Sequence, residues 1–252
     1  RNLQHKFSKI PAMPVAYWIS EEFKMVFENG DKITKYISTR DGLTTGKNEL
    51  YIRYFWEVPY LHIGFNKLDS QDFWNYGKKF APLLKGGLYR KWYGNCWFVI
   101  TYDIDSFNKL SNTGNKLPSR EIYFKPYISW NRISTRMAFR YNEGGYIFES
   151  ASLIAISDDR EKMLLTLAFA NSVLAKNEML IINPTTNMLS GYIDSLRIPK
   201  MTDMHRKECI SLAAECVELA KTDWNENETS WDFKSSPLLG ISKSCLLYTS
   251  DA

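Results

Sequence analysis

The chain has no two cysteines in CxxC spacing, no HExxH, no GxGxxG, no GxxxxGK[ST], no GxSxG and no Pro-Pro pair. These absences argue against a zinc site, a dinucleotide or P-loop nucleotide fold, a zinc protease and a hydrolase nucleophile elbow. Cysteine itself is scarce, at Cys96, Cys209, Cys216 and Cys245. Cys209 and Cys216 fall seven apart on an expected helix, roughly 10 Å from each other and too far for a disulfide. That usage suits a reducing cytosol, so a cytoplasmic location is expected. Gly and Pro number only 13 and 9 in 252 residues, which excludes collagen-like and low-complexity chains. No run approaches about 18 apolar residues. The best stretch, Met163 to Ala175, contains Thr166, Asn171 and Ser172 and reads as a buried helix, so no membrane partner is expected. Arg1 to Ile10 is polar and leads into no apolar signal region, and the chain does not begin with Met. It reads as a piece of a longer protein.

What is present is apolar and aromatic: 44% hydrophobic residues, 15% aromatic, with a net charge of only +4. One large domain or two small ones can form. After Phe7 to Ser20, which reads as a packed lead-in, Ser20 is placed to cap a helix over Glu21 to Glu28, stopped by Gly30. Tyr51 to Val58, Trp97 to Tyr102, Glu121 to Ile128, Arg132 to Arg140 and Tyr146 to Ile156 have strand chemistry. Asn142 to Gly145 separates the last two as in a hairpin. Asn66 to Lys91 and Asn108 to Arg120 read as polar loops. The period then becomes helical over Asp158 to Lys176, opened by Asp158 with Glu161, and again over His205 to Lys221. Ile181 to Lys200 reads as loop and strand, and Thr222 to Leu239 as an acidic, polar tail. The class is α+β, a mixed or antiparallel sheet followed by C-terminal helices.

Candidate chemistry is thin. His5, His62 and His205 lie far apart and read as structural or surface residues. Asp103, Asp105, Asp158 and Asp159 read as turn and cap residues. A Cys96–His dyad stays open with nothing favouring it. No catalytic or metal-binding residue is assigned. The positive pattern is basic residues interleaved with aromatics, as in KGGLYRKWYGNCW from Lys85 to Trp97. Arg90 and Lys91 can neutralise phosphates beside Trp92 and Tyr93. Arg132, Arg136 and Arg140 recur every four residues. On a strand they would share one face at roughly 13 Å intervals, as a row able to follow a nucleic-acid backbone. The plainer alternative is a solvated sheet face, with Trp92, Trp97 and Trp130 as core residues.

Seven segments carry a family resemblance: PVAYWIS from Pro14, GLTTGKN from Gly42, GLYRKWYGN from Gly87, SWNRIS from Ser129, FRYNEGGYIF from Phe139, NPTTNMLSGYIDSLRI from Asn183 and TDWNENETSWDFKSSP from Thr222. In this order they resemble the C-terminal part of PglX-type adenine-specific DNA methyltransferases of BREX phage-exclusion systems. The resemblance implies transfer of a methyl group from S-adenosylmethionine to adenine N6 in double-stranded DNA, within a restriction-modification-like defence system whose other proteins are possible partners. The cofactor motif and the (N/D/S)PP(Y/F) motif of such enzymes are absent. Asn183-Pro184-Thr185-Thr186 lacks the second proline and the aromatic residue, so no catalytic role is carried onto Asn183. The resemblance therefore implies a target-recognition region whose catalytic half, with its cofactor, lay upstream. Residues 1–30 are then a lead-in from the methyltransferase domain, 31–200 the target-recognition domain and 201–244 a C-terminal helical segment. Residues 245–252 (CLLYTSDA) resemble a translated library-preparation adapter. The expected DNA contacts are Thr45, Lys47, Asn48, Lys85, Arg90, Lys91, Tyr93, Asn95, Arg132 and Arg136. A stand-alone specificity subunit and an aromatic-rich carbohydrate-binding domain remain as alternatives.

Overall fold

Short strands buried along nearly their whole length organise the chain around a central sheet that is covered on both faces. The structure, a computed structural model, describes residues 20–112, 117–237 and Leu239. Most of the expected lead-in, His5, Cys245 and the adapter-like end lie outside the described residues. In chain order the helices are α1 (Glu21–Asn29), α2 (Asn48–Tyr51), α3 (Ser70–Asn75), α4 (Ile104–Asn112), α5 (Arg160–Ala170), α6 (Val173–Ile182), α7 (Ser190–Asp194) and α8 (Asp203–Asn225). The strands are β1 (Asp31–Lys32), β2 (Ser38–Arg40), β3 (Ile52–Tyr54), β4 (Phe80–Leu84), β5 (Phe98–Thr101), β6 (Tyr127–Asn131), β7 (Phe139–Asn142), β8 (Ile147–Phe148), β9 (Ser152–Ile156) and β10 (Arg197–Ile198). The fold is α+β.

The central sheet has order β2-β9-β6-β7 and is antiparallel throughout. Successive side chains on a strand point to opposite faces. Ile128, Trp130, Phe139, Tyr141, Leu153 and Ala155 pack with Leu164, Leu167, Met179 and Val217 from the helices. Tyr127 and Ile154, on the other face, join a second core with Leu83, Ile100 and Phe148. Those three come from the second sheet, β3-β5-β4-β8, in which β8 runs parallel to β4. A two-stranded β1-β10 pair closes against α1.

Several expected elements move, each for a local reason. The polar reading of Asn66 to Lys91 missed α3 and the fully buried β4. Pro82 disguises β4, but β8 pairs only with Leu83 and Leu84, so one side of the strand is unpaired at the proline. The expected strand Glu121 to Ile128 is a 3-10 turn, Arg120–Ile122, before β6. The loop expected from Asn108 begins as the end of α4. Tyr51 to Val58 splits into the end of α2, β3 and a 3-10 turn. Asn142 to Gly145 is not a hairpin turn. It carries the chain from the central sheet, where β7 pairs with β6, to the second sheet, where β8 pairs with β4. The helix expected over Asp158 to Lys176 is two helices bent by 72°. Asn171 stops the first, its amide bonding both Phe139 N and Phe139 O at 2.9 Å, and Ser172 caps the second. The cap of α5 is Asp159, one residue after the expected Asp158. α8 runs on to Asn225, so part of the expected tail is helical. Among the described residues no single helix is long and apolar enough to cross a membrane.

One buried acid gives a stability prediction. Glu178 on α6 is fully buried; its Oε2 accepts from Arg197 N at 2.8 Å and its Oε1 has no partner among the described residues. Burial pushes its carboxyl up from 4.5 to about 8. Below the lower value both folded and unfolded chains hold the proton. Between the two values only the folded chain does, so stability falls as pH rises and levels off above the upper one. Glu178→Gln is expected to be neutral near pH 4.5 and stabilising by about 1–3 kcal/mol near pH 8. Urea midpoints at the two pH values check this; an equal difference at both would refute it.

Candidate nucleic-acid interface

Three loops meet at the Glu149–Ala151 turn between β8 and β9. The 42–48 loop is tied there by Leu43 N to Phe148 O (3.0 Å) and Ser150 N to Leu43 O (2.9 Å). The 131–137 loop is tied by Arg132 N to Ala151 O at 3.0 Å. The 85–95 loop crosses between them: a Cβ at Gly86 would stand 3.2 Å from Ala151 O, at a backbone φ of +82°. Glu149 is buried at the centre, accepting from Ala151 N at 2.9 Å.

The row of three arginines does not exist. β7 begins only at Phe139, so Arg132 and Arg136 lie in a loop. That loop is held off the sheet by Ser134, whose hydroxyl donates to Arg136 O (2.7 Å) and whose N–H donates to Thr186 O (3.0 Å). Arg140 alone is on the strand, and it is 2% exposed. Its guanidinium donates to Asn131 Oδ1 at 2.8 Å and Arg90 O at 3.3 Å, while Asn131 Nδ2 donates to Gly87 O at 2.7 Å. Burial pulls this guanidinium down to about 10, still protonated at neutral pH. Arg140 is thus a bracket for the 87–90 loop.

The structure divides the ten expected contact residues. Lys85 and Arg132 line one cleft of about 290 Å³ together with Gly87 and Asn131. Lys91 and Arg136 line a neighbouring cleft of about 390 Å³ with Tyr89 and Lys176. Arg136 is exposed and lies 3.5 Å over the Tyr89 ring; Lys91 Nζ donates to Asn171 O at 2.7 Å. Lys47 and Asn48 are exposed on the 42–48 loop. Among the described residues Lys47, Lys85, Lys91, Arg132 and Arg136 form no ion pair. Arg90 does, with Asp223, and packs on the Trp224 ring. Three residues are inside: Thr45, bonded to Asn48; Tyr93, whose hydroxyl burial pushes well up; and Asn95, which donates to Leu88 O at 2.8 Å. They shape the loops and present no free group outward. Lys176 and Asn131 were missed because nothing local marks them: one sits on a helix after an unforeseen bend, the other ends a strand.

The remaining sequence candidates resolve simply. Cys96 is buried, its thiol pushed up to about 11 by desolvation, among Tyr93 and Tyr146. His62 and His205 are exposed on separate elements, so no dyad forms with Cys96 among the described residues. Asn183 spends its amide on its own turn, donating to Asn187 O (2.9 Å) and accepting from Thr185 N (3.0 Å). It is not arranged to grip a substrate amino group. Trp130 is core, donating to Met188 O at 2.8 Å, and Trp92 and Trp97 are partly buried against the two cores.

No protein-family model matches the chain. Over 248 residues, 95% of its length, it is 31% identical to the adenine-specific methyltransferase PglX of Lacticaseibacillus casei (strain Zhang). Over most of its length the chain is similar to one part of a PglX-type adenine-specific methyltransferase. It is also 30% identical over 243 residues to the adenine-specific methyltransferase BrxX of Escherichia coli O9:H4 (strain HS). It spans about a fifth of the length of these curated relatives, 20% and 19%. The PglX-like region therefore includes both basic clefts and all three loops.

Proposed function

We propose that this chain is the DNA-recognition part of a site-specific N6-adenine methyltransferase of the phage-defence type. The observation that supports this reading most is the pair of adjoining clefts. They carry four cations outside any ion pair among the described residues, Lys85, Arg132, Lys91 and Arg136, on loops braced by buried Arg140 and by the Glu149–Ala151 turn. Cations on pinned loops can neutralise phosphates at fixed spacing, and an arginine among them can reach a guanine edge bidentately. The match to two adenine-specific methyltransferases supplies the chemistry of the whole protein. S-adenosylmethionine is then its methyl donor. Asn183, in the NPTT stretch, is consumed in its own turn and offers no free amide to a substrate amino group. Methyl transfer is assigned to another part of the protein, and other defence-system proteins are candidate partners.

Two measurements test this. The chain should bind duplex DNA with an affinity that falls steeply between about 50 and 200 mM salt. A carbohydrate-binding domain would show little salt dependence and no duplex binding. With radiolabelled S-adenosylmethionine and duplex DNA, residues 1–252 should transfer no methyl groups; turnover would end the division of labour.

A further inference from the structure

A cavity of about 300 Å³ lies where the β1-β10 pair meets the start of α8, and it shares no lining residue with the two basic clefts. Chain geometry puts it there. Asp31 pairs with Ile198 across β1 and β10, and Pro199 to Met201 then lead into α8, which Thr202 caps. Arg206 follows at once on that helix, its N–H donating to Thr202 O at 3.0 Å. Its side chain and that of Lys200 therefore line the same opening as Asp31, Lys35 and Tyr36, over buried Leu165 and Ile198. The charges of this lining do not cancel. Asp31 is the only acid among the described lining residues, and both of its oxygens are taken. Its Oδ2 accepts from the Tyr36 hydroxyl at 2.9 Å and its Oδ1 from Lys35 Nζ at 3.1 Å. Those two bonds hold its carboxyl below the ordinary carboxylate value. Lys35 and Asp31 offset each other, and Lys200 and Arg206 are left over. Neither forms an ion pair among the described residues, and Asp203, one turn before Arg206, makes none with it. Arg206 is half-buried, and its Nε, shielded from solvent, has no hydrogen-bond partner among the described residues.

A shielded guanidinium N–H without an acceptor is unfavourable, and an oxygen-bearing anion removes the penalty. Two uncancelled cations at one opening match a dianion better than a monoanion. A phosphate monoester carries about −1.5 to −2 at neutral pH, whereas a DNA backbone carries a single charge at each phosphate. The volume is at the lower end of small-molecule sites, enough for a phosphate with a small group attached. We propose that this cavity binds inorganic phosphate or the phosphate of a small monoester between Arg206 and Lys200. The planar Arg206 fork takes phosphate oxygens, and Lys200 closes on the anion from the solvent side. Lys35 and Tyr36 keep the Asp31 charge from repelling it. The site is separate from the DNA reading and does not rest on it.

The test titrates the 252-residue chain with inorganic phosphate by calorimetry, with acetate as the monoanion and duplex DNA as the polymer. Phosphate should bind saturably in the millimolar range, and acetate at least about fivefold more weakly. Arg206→Gln should weaken phosphate binding at least about tenfold, the loss of a charge-assisted donor pair. Lys200→Gln should weaken it about threefold, since that ammonium is exposed. Asp31→Asn should tighten it about twofold or more, because it removes the one negative charge of the lining. A purely structural role for these residues would not produce that gain. Melting curves confirm that the variants fold, and exposed Lys200 guards against a destabilised Arg206 variant. Duplex affinity should be the same in all three variants. No saturable phosphate binding, or binding that both cation variants leave untouched, overturns the proposal. Equal losses of phosphate and duplex affinity in Arg206→Gln and Lys200→Gln would also overturn it, by making the cavity one more contact to the DNA backbone. Phosphate binding that depends on Arg206, in a chain with no affinity for duplex DNA, would remove the recognition reading and leave this one standing.

Discussion

Trp224→Ala is expected to lower stability by about 3–5 kcal/mol and the melting temperature by roughly 10 °C, the cost of emptying a well-packed tryptophan site. Trp224 is the last large side chain of α8 and is 4% exposed. It meets the Trp97 ring at 5.4 Å and lies 5.0 Å beneath the Arg90 guanidinium. The chain passes so close at Gly94 that a Cβ there would stand 2.7 Å from Trp224 Cε3, at a backbone φ of +117°. The same substitution therefore releases the 90–95 loop, whose Trp92 and Asn95 already hold left-handed backbone, φ 73° and 63°. Only firm anchoring sustains that conformation in residues with side chains. Leu212→Ala, on an exposed face of the same helix, should cost under about 0.5 kcal/mol. Chemical denaturation followed by circular dichroism compares them. A loss below about 1 kcal/mol at Trp224 would mean that the end of α8 is not seated in the core.

The second large effect is on DNA. Replacing Lys85, Lys91, Arg132 and Arg136 together by alanine should weaken duplex binding tenfold to a hundredfold, roughly, near 100 mM salt. It should also flatten the salt dependence by about 0.9 in log–log slope for each phosphate that is no longer neutralised. The stability change should be small for exposed Arg132 and Arg136. It should be larger for Lys91, whose ammonium bonds Asn171 O at the α5–α6 bend. Lys207→Ala removes one such charge from the exposed face of α8 and, compared with each cleft cation replaced singly, should leave affinity unchanged. Equal losses from Lys207 and from the cleft residues would reduce the interface to net charge alone. Filter binding or fluorescence anisotropy at several salt concentrations decides between them.

Local chemistry makes some of this legible in the sequence. Ser20 before α1 accepts from a first-turn N–H group as a short polar residue at a helix start does, whereas the caps Ser172 before α6 and Thr202 before α8 emerge only with the helix boundaries. Trp97 to Tyr102 contains β5 as expected. The seven ordered segments point by themselves to the PglX-type relatives, and the α+β class follows from strand-like and helix-like periods in succession.

What the chain determines by itself is whatever depends on neighbours within a turn or two: caps, periodicity, the aromatic and basic composition of the loops, and the family those segments resemble. Tertiary structure alone decided which of those loops come together. Arg132, Arg136 and Arg140 look like one row by spacing, yet hydrogen bonds from residues 186–188 hold the first two in a loop, and the sheet register buries the third. Asn142 to Gly145 looks like a hairpin, yet its strands belong to different sheets because β4 offers β8 a free edge. Pairing partners distant in sequence make these choices, through backbone hydrogen bonds and buried area that no local window contains.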